Sequence, residues 1–187
     1  MTADHQHTMS AKIELLLRLD AEQELVRRQE DDDEFSENYD DARLWLPEGI
    51  ELPEELPAGL RALYALTAHP QFGDLRFSSH DNFRPQRLID SAGEVIDAGN
   101  TLTIGRADEQ SIVIDLDTDA VFIFDFLYFR HGLDSGFVLR CGSFAEFIST
   151  VALGPLYPYI HGPHETWREP WWLTDPWYIY LQELGFA

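Results

Sequence analysis

The chain has 187 residues, 44% of them hydrophobic, and its 34 acidic side chains against 13 basic ones give a net charge of −21. Such a charge repels nucleic acid and anionic membranes and favours encounters with basic partners, so we expect no direct nucleic-acid contact and no membrane partner. The single Cys141 excludes an internal disulfide, and no apolar run approaches the roughly 20 residues that span a bilayer. The first residues lack the basic and apolar regions of a signal peptide. The sequence therefore predicts a cytoplasmic protein.

The first predicted element is a helix over residues 10–29, a stretch without Gly or Pro that is rich in Leu, Glu, Gln and Arg. Its Ile and Leu residues recur on one side and give the helix an apolar face. The segment EDDDEFSENYDD at 30–41 follows, with eight acidic residues and no basic one. Residues 1–43 are therefore predicted to form an N-terminal helix and an acidic segment.

A second predicted helix occupies residues 54–67, within LPEELPAGLRALYALTAH, where Pro53 and Pro57 stand near the N-terminus. Leu60 and Leu63 recur at helical spacing, together with their apolar neighbours. We expect this helix to cover one face of a sheet, because the strands predicted next need an apolar partner.

The most strongly patterned stretch is TLTIGRADEQSIVIDLDTDAVFIFD at 101–125, and we expect the sheet to be built around it. Its first residues alternate, so that Leu102 and Ile104 are predicted to face one way and the two threonines the other. Two β-branched and aromatic runs, 111–116 and 121–124, flank a polar interruption, a pattern that predicts a hairpin. Runs as apolar as these imply a sheet that is covered on both faces.

Shorter runs predict further strands on either side of this hairpin. Their ranges are 75–77, 87–89, 94–96 and 137–140. With helices before and after them, these strands predict an α+β fold whose single antiparallel-rich sheet is flanked by helices.

The chain after the last strand is predicted to form one more helix and then an aromatic extension. Ser143 and Glu146 make a capping box before an apolar run, so a helix is expected over 143–153. Residues 155–187 carry four of the five tryptophans, which predicts a Trp-rich C-terminal extension packed on the domain. Within it, Asp175 before a proline is expected to open a last short helix.

Three segments carry a family resemblance in their order along the chain. They are LPEELPAGLRALYALTAHPQFGDLRF, LTIGRADEQSIVIDLDTDAVFIFD and SFAEFISTVALG. This arrangement resembles the SUKH superfamily, the Smi/Knr-like immunity and interaction domains. The shared features are a Leu-Pro-containing helix that leads to a Gly-bearing turn, a strand-rich middle with an IG…D…I-x-I-D pattern, and a closing SF-x-EF helix. The resemblance implies a SUKH-like α+β domain over residues 44–154 that acts by binding.

The resemblance also implies a function. In bacterial members that look like this chain, the partner is a toxin, often a nuclease, which the immunity protein neutralises. We therefore expect an immunity-type binding protein with a cognate basic toxin as its partner. The charge of the chain favours the same class of partner, because clustered carboxylates resemble the phosphates that a nuclease grips. The alternatives are a non-enzymatic scaffold or regulatory interaction module of the same fold and, less favoured by the sequence, a metal-dependent hydrolase.

The residues expected to bind the partner lie in the acidic segment. Six of its carboxylates occupy eleven residues that contain no Lys or Arg, so a basic partner would relieve their mutual repulsion. Two aromatic side chains at i, i+4 spacing add an apolar anchor of the kind found in binding hot spots. The predicted residues are Asp31, Asp32, Asp33, Glu34, Phe35, Tyr39, Asp40 and Asp41. The alternative is a solvated segment without a role.

A calcium loop is the first rival chemical hypothesis. Asp115, Asp117 and Asp119 imitate the start of such a loop, but Ala120 and Phe126 stand where the loop requires Gly and Glu. These aspartates are therefore expected to end a strand and shape its turn.

Metal and thiol chemistry are the other rivals. His161 and His164 with a further histidine would ligate a metal, yet their spacing fits no helix or strand pair. Cys141, between a strand and a helix start, is expected to be a small buried thiol. We therefore predict no catalytic residue, no metal ligand and no cofactor, and hence a protein that is not an enzyme.

Overall fold

The computed structural model describes residues 2–30, 44–90, 92–97, 99–131, 134–162 and 170–187. These residues form an α+β fold with a mostly antiparallel sheet of eight strands and five helices, which confirms the predicted class. The strands are β1 Leu44–Trp45, β2 Gln71–Phe72, β3 Leu75–Phe77, β4 Arg84–Pro85, β5 Leu88–Ile89, β6 Val95–Asp97, β7 Thr101–Ala107, β8 Gln110–Asp115, β9 Val121–Phe124 and β10 Phe137–Cys141. The helices are α1 Thr2–Arg18, α2 Ala21–Glu30, α3 Ala58–Leu66, α4 Phe144–Glu146 and α5 Pro176–Glu183.

The predicted central hairpin is present and lies inside the sheet. The strand order is β1-β2-β3-β7-β8-β9-β10, and β4 pairs with β7. In the hairpin, Ile112 pairs with Ile123 and Ile114 with Val121. The turn between β8 and β9 contains Asp119 with a φ of 63°, a left-handed conformation that Asp tolerates better than most residues.

The facing predicted for the start of β7 is present, although a β-bulge interrupts the strand: Leu102 and Ile104 both pack on the main core, and the hydroxyls of the two threonines both donate to Gln86. The register shifts between Thr103 and Gly105, which leaves Ile104 outside the regular pairing. A Cβ at Gly105 would collide with the carbonyl oxygen of Arg76 on the neighbouring strand. Glycine is therefore required where the bulged strand approaches β3, and Ile104 still reaches the core.

The sheet is covered on both faces, as its apolar strands predict. The outer face carries a small cluster in which Leu88, Val113, Phe122 and Phe124 are buried. Leu88 belongs to the separate two-stranded sheet β5-β6, which the prediction of a single sheet did not include. The other face carries the main core, to which all five helices contribute.

The N-terminal prediction of one helix is wrong, since two helices form there. α1 begins eight residues earlier than expected and ends at Arg18, and α2 begins at Ala21. Between them, Asp20 has a φ of 51°, which a continuous α-helix cannot accommodate. Among the described residues, no helix has both the length and the apolar character to cross a membrane.

Two of the other three predicted helices are shorter than expected. α3 begins only after Pro57, and the residues that precede it form a turn. At the predicted capping box, Ser143 Oγ accepts a hydrogen bond from the Glu146 N–H at 3.1 Å, and Glu146 accepts one from the Gly142 N–H at 2.8 Å. The apolar run after Glu146 forms a π-helix, Phe147–Ala152, where an α-helix was expected.

The C-terminal extension contributes to the interior of the protein as well as to its surface. Trp177 is fully buried, and its Nε1–H donates to the Ala152 carbonyl at 3.1 Å. The predicted cap is present, because Asp175 accepts a hydrogen bond from the Tyr178 N–H at 2.7 Å. Residues from α1, α2, α3, the sheet and α5 therefore share one hydrophobic core.

Candidate binding surface

The predicted partner-binding residues lie outside the part of the chain that the structure describes. This holds for Asp31, Asp32, Asp33, Glu34, Phe35, Tyr39, Asp40 and Asp41. Their role as the partner site stays a prediction. The described residues do contain a surface with related chemistry, which lies beside α3.

A groove of about 510 Å³ opens between α1, α3 and the segment that precedes α3. Its apolar lining comes from Leu52, Ala58, Ala62 and Ala65. Its polar lining comes from Gln6, Glu51, Glu54 and Arg61. We call this feature the α1–α3 groove.

Backbone contacts hold the segment 48–52 against α3. The Ile50 N–H donates to the Tyr64 carbonyl at 2.7 Å, and Glu48 forms an isolated antiparallel bridge with Thr67. A Cβ at Gly49 would collide with the Ala65 carbonyl oxygen, so this position requires glycine for close approach. The wall of the groove is thus fixed by hydrogen bonds at its α3 side.

α3 divides its side chains between the core and the groove. Leu60, Leu63 and Tyr64 are buried, whereas Ala58 and Ala65 are exposed. The 3.6-residue period of the helix places these two sets on different faces. The exposed face of α3 carries small apolar side chains, and these leave open space above the helix.

The carboxylates around the groove are not neutralised within the described part of the chain. Glu48, Glu51, Glu54 and Glu55 are all exposed, and none of them forms an ion pair with a described residue. Arg61 is the basic residue in the lining, and its Nε–H donates to the Leu56 carbonyl at 3.0 Å. The groove therefore combines apolar lining with an acidic rim.

Other basic side chains are engaged in contacts of the fold. Lys12 donates to the carbonyls of Ser149 at 3.0 Å, Leu153 at 2.6 Å and Phe186 at 3.4 Å. Burial lowers the pKa of Lys12. Arg28 binds Glu24 and Glu183, both at 2.8 Å.

A second, smaller cavity of about 330 Å³ lies at the end of the sheet. It is lined by Asp74, Arg76, Arg106, Asp108 and Glu109. Asp74 Oδ2 lies 3.2 Å from Nε2 of His161, a residue of the candidate metal site. Three carboxylates and two guanidinium groups line this cavity, so its lining carries charges of both signs.

His161, beside this second cavity, contacts an aromatic ring and a carboxylate. The His161 ring packs against Trp171 with ring centroids 4.6 Å apart. The Asp74 N–H donates to Tyr157 Oη at 2.9 Å. His164, its proposed companion in metal binding, lies outside the described residues. In the part of the chain that is described, no group of three or more His, Cys, Asp or Glu side chains is arranged to hold a metal ion.

The carboxylate that would begin a calcium loop is used within its own turn. Asp115 Oδ1 accepts from the Asp117 N–H at 2.9 Å, and its Oδ2 accepts from the Thr118 hydroxyl at 2.7 Å. This is the arrangement of an Asx turn. Asp115 ends β8, as predicted, and its carboxylate also shapes the β8–β9 connection.

Cys141 is buried at the end of β10, as predicted. Burial, with the Glu146 carboxylate nearby, raises the pKa of its thiol to about 12. A thiol with this pKa is almost entirely protonated at neutral pH, whereas nucleophilic cysteines have a lowered pKa. Its position favours a structural role.

The α1–α3 groove was missed by sequence reasoning. The signal for it was present in AGLRALYAL, where the leucines predicted a buried face and the alanines at i, i+4 and i+7 mark the opposite one. What the sequence did not indicate is that residues 48–54 run along that alanine face. This placement depends on backbone contacts between distant residues.

No family model, no curated protein and no solved structure matches the chain.

Proposed function

We propose that the chain is an immunity-type binding protein without catalytic activity, which neutralises a cognate bacterial toxin by protein–protein contact. The observation that carries this proposal is the net charge of −21 together with exposed carboxylates that have no ion pair among the described residues. A basic protein is the partner that such a surface attracts most strongly.

The distribution of charge supports a protein partner. Of the arginines, Arg27 and Arg28 pair with glutamates of the same protein, and Arg140 packs over the rings of Phe122 and Phe137. Because these arginines are engaged in such contacts, they do not neutralise the exposed carboxylates beside α3. Nucleic acid and anionic lipid carry the same sign of charge as this surface and are repelled by it.

A nuclease is one class of toxin that fits this chemistry. A nuclease binds phosphates through basic side chains, and a row of exposed carboxylates on a rigid segment presents negative charge to the same side chains. The exposed glutamates beside α3 and the predicted residues of the acidic segment are two places where the chain concentrates such charge. The chemistry of the toxin itself stays open.

The proposal predicts that a toxin-bearing reading frame lies beside the gene for this chain, and it is tested by expressing the chain with the protein that this frame encodes. An immunity protein should restore growth of cells that express this protein and should form a stoichiometric complex with it. Failure of both results would contradict the proposal. A scaffold or regulatory module predicts several weaker partners and no protection, so the same experiment separates the two alternatives.

A further inference from the structure

We infer that the α1–α3 groove is the docking surface for a basic amphipathic helix presented by the partner protein. This inference rests on the proposed function, and it names the surface and the chemistry of the segment that binds there. A helix in a groove is a common mode of protein recognition, in which an apolar face fills the groove and charged residues contact its rim.

The shape of the groove favours a helix as its occupant. Ala58, Ala62 and Ala65 are spaced at i, i+4 and i+7 on α3, so they form a stripe along the helix axis. Small side chains allow a second helix to approach closely, since the distance between packed helices depends on the side chains at the contact. The cavity beside this stripe supplies the space for larger side chains of the occupant.

Two larger apolar side chains near the stripe supply candidate anchor points. Leu52 lines the groove and is half-buried, and Ile50, held by its hydrogen bond to Tyr64, is 41% exposed. Stable interfaces combine an apolar centre with a polar rim, and their binding energy is concentrated in a few central contacts. The groove has this arrangement before any partner is bound.

Charge selects the class of occupant. Four exposed glutamates lie in the segment beside the stripe, and they form no ion pair with the described residues. Lys and Arg side chains on the polar face of a bound helix would neutralise them. A second copy of this chain also has a charge of −21, so it is repelled from the same surface.

The first test uses a defined probe in place of the toxin. A fluorescent peptide of Leu and Lys at amphipathic helical spacing is titrated with the full chain at low salt, beside a peptide of the same composition in scrambled order. We expect the helical peptide to bind about tenfold more tightly, because only this peptide presents a continuous apolar face to the groove. Equal binding of the two peptides would overturn the inference and indicate attraction by charge alone.

The second test fills the groove by substitution. Ala58→Gln and Ala65→Gln change exposed positions of α3 and keep good helix formers, so thermal unfolding should change little. We expect the double variant to lose about tenfold in affinity for the helical peptide, since its longer side chains occupy the apolar floor. Unchanged affinity with an intact fold would overturn the inference.

The third test separates the acidic rim from the general charge of the protein. Glu51→Gln with Glu54→Gln removes two carboxylates of the groove, and Glu94→Gln with Glu109→Gln removes two exposed carboxylates elsewhere. At low salt, the groove variant should associate with the peptide about three- to tenfold more slowly, and the control variant about as fast as the wild type. Equal effects of the two pairs would contradict a specific site.

The protein from the neighbouring reading frame distinguishes failure of this inference from failure of the proposed function. If it binds the wild type and both groove variants equally well, the groove is not the docking surface and the proposed function stands. If it binds the wild type and protects cells but the groove variants lose both properties, the inference is supported. If it does not bind the wild type, the proposed function fails, and with it the assignment of the groove to a toxin.

Discussion

The two faces of the central sheet differ in how much of the chain packs against them. The helical face is packed by residues from both ends of the sequence, from Met9 of α1 to Leu181 of α5. The outer face is packed by a cluster of four buried residues from one strand of the small sheet and two strands of the large one. This difference indicates that the helical face sets global stability, whereas the outer face stabilises a local region.

The groove belongs to the same side of the molecule as the larger core. α3 buries Leu60 and Leu63 on one face and lines the groove with the other. A binding surface placed on such a helix is rigid, because the buried face fixes the position of the exposed one. Sequence changes in the groove are therefore expected to alter binding without altering the fold.

The largest expected effect comes from removing the tryptophan that joins the C-terminal extension to the helical core. Trp177→Ala should lower the free energy of unfolding by about 3–5 kcal/mol, because it removes a fully buried side chain and its hydrogen bond to Ala152. Urea denaturation gives this value. Leu173→Ala, at a position that is 59% exposed, is the control and should change stability by less than about 0.5 kcal/mol.

A smaller effect is expected on the outer face. Phe137 is half-buried, and its ring lies 5.1 Å from that of Phe124 and 5.5 Å from that of Phe122, measured between centroids. Phe137→Ala should lower the free energy of unfolding by about 1–2 kcal/mol, which is less than the change at Trp177. An equal or larger loss on the outer face would contradict the difference between the two faces.

The pH dependence of stability above pH 9 gives a third test, located at the edge of the helical core. The folded state raises the pKa of Cys141 from 9.0 to about 12, so the folded protein keeps a proton that the unfolded chain loses. The stabilisation is complete below the unfolded pKa and is lost as the pH rises from about 9 to about 12, at up to about 1.4 kcal/mol per pH unit.

A matched variant isolates the thiol from the other groups that titrate in this range. Cys141→Ala removes the ionisable group and keeps a small apolar side chain. Its stability should fall less steeply above pH 9 than that of the wild type, measured by urea denaturation at a series of pH values. Parallel curves for the two proteins would show that Cys141 does not contribute.

The smallest effect is expected in the β8–β9 turn. Desolvation raises the pKa of Asp119, and its Oδ1 is buried without a hydrogen-bond partner in the described part of the chain. The charged form is therefore unfavourable in the folded state. Asp119→Asn, which also tolerates a positive φ, should raise stability at neutral pH by about 0.5 kcal/mol.

The sign of this effect fixes its dependence on pH. The folded state raises the pKa of Asp119, so this residue destabilises the wild type increasingly as the pH rises through that pKa. At low pH the carboxyl is protonated in both the folded and the unfolded state, and it then has no such effect. The advantage of the Asn variant should therefore disappear near pH 3. An advantage of equal size at both pH values would assign it to something other than charge.

The elements that the sequence predicted well depend on residues close together in the chain. The hairpin at 111–124, the Ser143 cap and the Asp175 cap all have their signals within a few positions. Local turn chemistry and apolar runs are sufficient to specify them. The α+β class follows from the order of these elements along the chain.

The features that the sequence did not predict depend on distant contacts or on a single residue. The break between α1 and α2 arises at Asp20, whose left-handed conformation leaves no mark in the pattern of apolar residues. The π-helix that replaces most of the predicted α-helix contains Ser149 and is followed by Leu153. The carbonyls of both residues accept hydrogen bonds from Lys12, far away in the sequence. The groove likewise requires residues 48–54 to lie against α3.

The measurement that tests the central claim most directly is the rate at which the chain associates with its proposed partner, the toxin that we expect to be encoded beside it, as a function of ionic strength. The Debye length falls from about 30 Å at 0.01 M salt to about 3 Å at 1 M, so an association steered by the acidic surface slows steeply over this range. We predict such a decrease, and a shallower one for the Glu51→Gln, Glu54→Gln variant. An association rate that does not change with salt would contradict a binding function based on the acidic surface.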